Sequence, residues 1–266
     1  MKDYRLHRVL MSSIIWAVCI GNTCARDVRG DDGLFYHLNE SAGTAEIISP
    51  RYYDASTDDE EYALHEDMFW NKYHRMTNVK IPSHVTFDSI TYSVTRIGEE
   101  AFASCHYLTS VTIPNTVSEI GALAFERCSH LQSIQIPEDI TTIDWATFYG
   151  CDGLVSVVIQ EGVTSIGPRA FASCMNLTSV FLPASLIEIE DNAFCGCDRL
   201  TSITSLAERP PFLGNCCFDD IEEHSVFCRE EHMLQDTLFV PKRSIRAYKR
   251  VKEWRLFKII RPLVTD

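Results

Sequence analysis

Apolar residues recur with a fixed period along the middle of the chain, from about residue 101 to residue 203. A phenylalanine stands at every 23rd position, and a cysteine and a leucine follow it at constant offsets. After each leucine, apolar and polar residues alternate, which is the pattern of a strand with one buried face. The columns are Phe102, Phe125, Phe148, Phe171 and Phe194; Cys105, Cys128, Cys151, Cys174 and Cys197; and Leu108, Leu131, Leu154, Leu177 and Leu200.

The period and the spacing predict the fold class. A repeat of roughly 20 to 29 residues with Leu-x-x-Ile-x-Ile spacing is typical of leucine-rich repeats, whose units bury their apolar columns against their neighbours. We therefore predict a β-rich, right-handed leucine-rich repeat solenoid that forms one elongated domain.

Each unit can be read in the same way. In the first full unit Leu108, Val111 and Ile113 are expected to point inward and Thr112 outward. Pro114 then ends the strand, because proline cannot donate a hydrogen bond to a parallel ladder. The segment Ala-Phe-x-x-Cys places Phe and Cys three residues apart, so we predict a short helical turn with both on one face.

Two motifs carry a resemblance to a known family. Residues 97–105 read IGEEAFASC and residues 108–114 read LTSVTIP, and both recur downstream. They resemble the BspA-like leucine-rich repeat proteins, which are surface and secreted proteins of Bacteroides-type bacteria. The resemblance covers most of residues 32–262, and it implies adhesion to proteins or to other surface ligands. Such motifs specify a fold and leave the ligand open.

The N-terminus has the pattern of a secretory signal. Arg5 and Arg8 precede an apolar run from Val9 to Ile20, and small residues up to Ala25 offer a cleavage site. We predict a signal peptide over residues 1–25 and export to the periplasm, the cell surface or the medium. The apolar run is too short to cross a bilayer, so we expect no transmembrane span in the mature chain.

The flanks of the array are predicted to be caps. Residues 26–78 form the N-terminal cap, which begins with a hairpin and contains an insertion. The array occupies residues 79–215, and an acidic insertion rich in Cys and His occupies residues 216–236. Residues 237–266 form the C-terminal cap, where Ser244 is expected to begin a helix that runs through Trp254.

Residues 50–78 depart from the usual family pattern. An acidic run precedes Phe69, Trp70 and Tyr73. One interpretation is an exposed loop that leads into a short helix, with the aromatic residues packed on the cap. The other is a partner-binding insertion, since long loops on rigid scaffolds often carry recognition.

Residues 216–236 hold a candidate metal site. Cys217, His224, Cys228 and His232 include three residues at steps of four, which would share a helix face and supply tetrahedral zinc ligands. No Cys-x-x-Cys pair supports the site. A disulfide from Cys228 to Cys216 or Cys217 explains the segment better than a metal site, and an acidic surface insertion is the interpretation that the sequence favours.

Two other sets of cysteines need separate interpretations. The repeating column is expected to consist of small buried apolar residues. Cys195 lies outside that column, and we predict that it is better placed for a disulfide with Cys216 or Cys217, because export favours bridges.

One outward column carries the candidate ligand-binding residues of the array: Thr112, Gln135, Val158, Phe181 and Thr204. Val158 and Phe181 are predicted to stand next to each other on an otherwise polar ladder. Together with Gln135, they form one candidate surface, and Phe69, Trp70 and Tyr73 form the other.

The charge is unevenly distributed along a chain with a net charge of −13. Residues 241–266 carry +7 and residues 26–240 carry −22, which argues against a general nucleic-acid binder. The basic end could attract acidic surfaces, or it could be a solvated cap.

The sequence lacks a nucleophile elbow, a phosphate loop and a dinucleotide fingerprint. We therefore predict a non-enzymatic binding protein, monomeric and without a cofactor, whose partner is a protein or another surface ligand. The alternatives are a metal-binding protein or hydrolase that uses the 216–236 segment, and a structural component of the envelope.

Overall fold

The structure is a computed structural model that describes residues 16–19, 24–50, 73–218 and 237–263. The first seven strands are β1 (Trp16–Cys19), β2 (Cys24–Arg29), β3 (Phe35–Asn39), β4 (Thr44–Ile48), β5 (Asn78–Lys80), β6 (His84–Phe87) and β7 (Ile90–Ile97). The next ten are β8 (Ser110–Thr112), β9 (Glu119–Ile120), β10 (Ser133–Ile134), β11 (Thr142–Ile143), β12 (Ser156–Val158), β13 (Ser165–Ile166), β14 (Ser179–Leu182), β15 (Glu188–Ile189), β16 (Ser202–Ser205) and β17 (Phe212–Leu213). Strands β18 (Thr237–Val240) and β19 (Ile259–Pro262) follow.

The N-terminal sheet has seven strands, with the order β1-β2-β3-β4-β7-β6 and β9 paired to β7. β3 and β4 pair antiparallel around the turn at residues 41–43, as the sequence predicts. β6 and β7 form a second hairpin, and its turn residues Asp88 and Ser89 both have positive φ, as in a type I′ turn.

The array contributes parallel strands to three further sheets. One has the order β10-β8-β5, one β11-β13-β15-β17, and one β12-β14-β16-β18-β19. Equivalent residues of consecutive units pair directly, for example Val157 with Val180 and Ile166 with Ile189. A leucine-rich repeat fold, rich in β structure with few helices, is therefore confirmed.

The core is a continuous stack of aromatic rings. Tyr73 stacks on Phe102, with ring centroids 5.9 Å apart, and the five predicted phenylalanines follow at 5.1 to 5.5 Å. Phe194 then stacks on Phe218 at 5.4 Å, which Trp254 and Phe257 contact in turn. Each unit thus buries its largest side chain against the next one.

The predicted helical turns are wrong in detail. Backbone with φ between 51° and 72° recurs at two positions in each unit: Glu100, Leu123, Ala146, Arg169 and Asn192, and Ser104, Arg127, Gly150, Ser173 and Gly196. A right-handed helix cannot contain such residues. Alternate amides of the turn bond to the next unit, as when Phe102 N donates to Ala124 O at 2.7 Å, while those between them bond within the turn, as when Ala103 N donates to Glu100 O.

Four cysteines of the column, Cys105, Cys128, Cys151 and Cys174, are buried as predicted, and Cys197 is partly buried. Each thiol from Cys128 onward donates a hydrogen bond to the phenylalanine carbonyl of the preceding unit, at 3.1 to 3.3 Å. Burial raises the pKa of Cys105 to about 12. The thiolate, which is the form that binds metals and attacks disulfides, is therefore disfavoured at Cys105.

The predicted helix from Ser244 to Trp254 is also wrong. A 3-10 turn (Lys242–Ser244) leads into α1 (Ile245–Tyr248), and a second 3-10 turn occupies Trp254–Leu256. Ser244 makes no side-chain cap hydrogen bond. A longer helix would place Arg246, Lys249 and Arg250 at helical spacings of three and four residues, where like charges repel.

A row of alternating charge crosses the first sheet. Asp27, His37, Glu46, Arg96 and Glu119 pair in register on five successive strands. His37 Nδ1 lies 2.6 Å from Asp27 Oδ1, and Arg96 contacts both glutamates at 3.2 and 3.0 Å. The hydrogen bond to Asp27 raises the pKa of His37 despite partial burial, and the Glu46 carboxylate adds to the effect.

This row predicts a pH dependence of stability. Because the pKa of His37 is raised on folding, its contribution is complete below the unfolded value of about 6.5 and is lost as the pH rises through the folded value. We expect less than about 1 kcal/mol for this partly exposed pair. Thermal unfolding of wild type and His37→Gln between acidic and alkaline pH measures it. His84→Gln is the control, and an equal change of pH dependence in both variants contradicts the prediction.

Candidate functional site

Five side chains form a continuous row on the exposed side of the five-stranded sheet. Val158, Phe181, Thr204, Phe239 and Arg261 pair in register across β12, β14, β16, β18 and β19. We call these five residues the outer row. Residues in register on parallel strands point to the same side, so the predicted neighbours Val158 and Phe181 are indeed adjacent.

The outer row is apolar at three of its five positions. Val158 is 50% exposed, and Phe181 and Phe239 are half-buried. The preceding outward positions carry hydroxyls, namely Ser156, Ser179, Ser202 and Thr237. The row is thus an apolar strip beside a polar one, on backbone held by the hydrogen-bonded ladder.

Phe239 and Arg261 extend the row beyond the residues that the sequence indicated. The 23-residue count stops at the 216–236 segment, so the strand register of residues 237–263 could not be read from the period. The only available signal was the alternation in Leu238-Phe239-Val240, which makes Phe239 the outward residue.

The predicted residue Gln135 is exposed and lies directly after β10. Strands β10 and β12 belong to different sheets. Gln135 therefore precedes Val158 by one repeat of 23 residues. Among the described residues, no strand pairing joins the two.

The second candidate surface is only partly described. Phe69 and Trp70 lie outside the described residues. Tyr73 is buried, donates its hydroxyl to Ala101 O at 2.6 Å and stacks on Phe102. The prediction that Tyr73 contacts a ligand is therefore wrong, because its ring is the first layer of the core stack.

Of the candidate metal set, His224, Cys228 and His232 lie outside the described residues. Cys217 is buried, and its thiol contacts the carbonyl oxygens of Ile189, Glu190 and Gly214 at 3.2 to 3.4 Å. It occupies the place that Ala193 has one unit earlier, since Phe194 N donates to Cys217 O. Among the described residues no group of three or more His, Cys, Asp or Glu side chains could hold a metal ion.

The disulfide prediction for Cys195 is wrong. Cys195 and Cys217 both carry thiols, whereas Cys216 is disulfide-bonded. The Cys217 side chain is buried, and its thiol contacts backbone carbonyl oxygens.

A second exposed apolar pair escaped the sequence reading. Ile187 is 64% and Phe212 is 70% exposed, and Phe212 N donates to Ile187 O at 2.8 Å. They lie on the four-stranded sheet, where β17 is the last strand of the described order. Phe212 is therefore a suitable control residue for Phe181 of the outer row.

The C-terminal end of the outer row is basic. Arg261 lines a cavity of about 530 Å³ together with Lys249, Arg255 and Lys258. Residues 237–263 contain nine Lys and Arg and a single acidic residue, Glu253. Within the described parts of the chain, the one ion pair of this segment joins Arg243 to Glu208.

The comparisons with known proteins establish the family. Residues 63–201 match the model of the BspA type leucine-rich repeat region, in six copies. The match covers more than half of the chain, so this protein belongs to the BspA-type leucine-rich repeat family. No curated protein matches the chain.

Three solved structures of leucine-rich repeat proteins are similar to this chain, and the second of them shows the same fold. A leucine-rich repeat protein of Bacteroides ovatus is 25% identical with a TM-score of 0.46, and the match covers 86% of this chain and 66% of that one. The leucine-rich repeat protein of T. pallidum is 22% identical with a TM-score of 0.50, over 71% of this chain and 88% of that one. A leucine-rich cell surface protein of Faecalibacterium prausnitzii is 26% identical with a TM-score of 0.42, over 74% and 56% respectively. This chain thus spans less than two thirds of the length of the first and third.

Proposed function

We propose that this protein is an exported, non-enzymatic binding protein that holds a protein ligand on the outer row, in an adhesive role at the cell surface or after secretion. The observation that carries the proposal is the apolar strip around Val158 and Phe181 on an otherwise polar sheet. Leucine-rich repeat proteins commonly use extended surfaces for protein–protein contact rather than closed active sites.

The energetics favour this surface over a loop. Ile159 N donates to Phe181 O at 2.9 Å, so the backbone of β14 is held by its neighbour. A rigid surface loses little conformational entropy on binding. Binding energy also concentrates in a few desolvated anchors, with aromatic side chains prominent among them.

Phe181→Ser is expected to weaken binding of a ligand recovered by surface pull-down by more than about 1 kcal/mol, roughly fivefold in Kd. The fold should remain, because Phe181 is outside the core. Phe212→Ser is the matched control, since it makes the same change at a more exposed ring on another sheet. Titration calorimetry measures both.

Two results contradict this assignment. Normal binding by Phe181→Ser, together with loss of binding on deletion of residues 54–70, would assign the ligand to the insertion. A loss confined to Phe212→Ser would assign it to the four-stranded sheet.

Export rests on the basic, apolar and small-residue succession of residues 1–25. None of the helices in the described residues is long and apolar enough to cross a membrane.

N-terminal sequencing of the exported protein is expected to begin at Arg26. An intact Met1 or a lipid on Cys19 would refute this prediction. Removal of residues 1–25 leaves the pairing of Arg26 to Arg29 with β3 in place.

The two end segments act as caps on a right-handed solenoid. A solenoid needs its first and last core layers covered. Buried Tyr36 and Leu38 on one side and Trp254 and Phe257 on the other support this role.

A further inference from the structure

We infer that the outer row takes an acidic polypeptide, whose carboxylates lie at the basic C-terminal end and whose apolar side chains lie over Phe181 and Phe239. This inference rests on the proposed function of the outer row and adds the chemistry and the direction of its partner. It follows from the continuity between the apolar strip and the basic cavity.

That continuity is set by strand register. Phe239 pairs directly with Arg261, so the ring and the guanidinium are neighbours on the same side of the sheet. Arg261 also lines the 530 Å³ cavity with three further cations. Adjacent strands lie about 4.8 Å apart, so a ligand that covers Phe181 reaches the cavity within roughly 15 Å.

The charge of this end is largely uncompensated. Eight of the nine basic residues in 237–263 form no ion pair among the described residues. The field of such a cluster favours carboxylates and accelerates their association. Residues 26–240 carry a net charge of −22, so the rest of the chain on average disfavours the acidic groups of a ligand. The ligand is thereby oriented along the row.

The apolar strip distinguishes a polypeptide from other anions. A small anion or a polyphosphate gains nothing from Val158, Phe181 and Phe239, and a long nucleic acid would meet the acidic body. Hydroxyls of Ser156, Ser179 and Ser202 beside the strip can bond polar groups of a peptide. An acidic peptide with aromatic or aliphatic side chains fits the apolar strip, the hydroxyls beside it and the basic end of the row.

The edge of the sheet argues against end-to-end addition of a second copy. Leu263 N donates to Val240 O, so the adjacent residue, Pro262, faces away from β18. Proline offers no N–H, and such residues block strand addition at an edge. The partner therefore lies across the face and does not extend the sheet.

A displayed library of short random peptides tests the inference. The library is selected on the wild-type protein and depleted on Phe181→Ser, so that only peptides that need the outer row remain. We expect these peptides to be acidic and to carry at least one aromatic or large aliphatic residue. Their affinity is then measured on Arg261→Glu and on Lys80→Glu, an exposed cation at the opposite end of the array.

The expected result is a weakening of at least about fivefold by Arg261→Glu and a change within about twofold by Lys80→Glu. Neutral or basic peptides, or equal effects of the two variants, overturn the inference and leave the outer row as a binding surface. Peptides that bind Phe181→Ser as well as wild type, or none selected at all, contradict the proposed function itself. Self-association of the protein through the outer row, measured by sedimentation, would overturn the inference and identify a second copy of this chain as the partner of the row.

Discussion

Phe148→Ala is expected to lower the free energy of unfolding by about 3–5 kcal/mol. Phe148 is fully buried and lies between Phe125 and Phe171, with centroid distances of 5.5 and 5.1 Å. The neighbouring rings are fixed by their own units, so the cavity cannot collapse. Chemical denaturation with both fluorescence and circular dichroism measures the loss.

Phe212→Ala is the control for this prediction, because its ring is 70% exposed and its removal should cost less than about 0.5 kcal/mol. A loss below about 1 kcal/mol for Phe148→Ala would mean that the stack does not hold the array together. Repeat arrays can unfold in parts, so coincidence of the two probes is part of the measurement.

Trp254→Ala is expected to have a similarly large effect, about 3–5 kcal/mol. Trp254 is fully buried, its ring packs at 5.2 Å on Tyr248, and its Nε1 donates to Pro211 O at 2.7 Å. Removal opens the last core layer and also leaves a buried carbonyl without its donor.

Trp254→Phe separates these two contributions. It keeps most of the apolar contact and loses the hydrogen bond, so we expect about 1–2 kcal/mol. A Trp254→Ala protein as stable as wild type would show that the C-terminal segment does not close the core, and the capping role proposed for it would fail.

The array could be predicted because one pattern repeats. Columns such as Phe102 and Cys105 must meet their equivalents in adjacent units, so a fixed period determines both burial and strand register. The prediction failed where the period changed. Phe218 follows Phe194 by 24 residues, not 23, and for this reason its place in the stack was missed.

Local conformation was harder to predict than packing. The turn after each second strand contains residues such as Leu123 and Arg169 with positive φ, a conformation that non-glycine residues rarely adopt. It is favoured here by hydrogen bonds to the next unit, which sequence propensities do not include. The prediction of a helix from Ser244 to Trp254 failed for a related reason. Burial of Trp254 and repulsion among the cations of this segment outweigh the helical spacing of its apolar residues.

The candidate site was predictable within the array and not beyond it. Alternation identified Val158 and Phe181, because each unit places the same offset outward. Phe239 and Arg261 join them only through the pairing of β16 with β18 and of β18 with β19. Tyr73 is of a residue type that is common at binding surfaces, but its ring is part of the core.

Photo-crosslinking locates the bound ligand on the surface of the protein. A photoreactive phenylalanine analogue replaces either Phe181 or Phe212 in otherwise unchanged protein, and the cross-linked products are mapped by mass spectrometry with the recovered ligand bound. We expect cross-links from position 181 and none from position 212, even though the ring of Phe212 is the more exposed. Cross-links from position 212 alone would contradict this expectation.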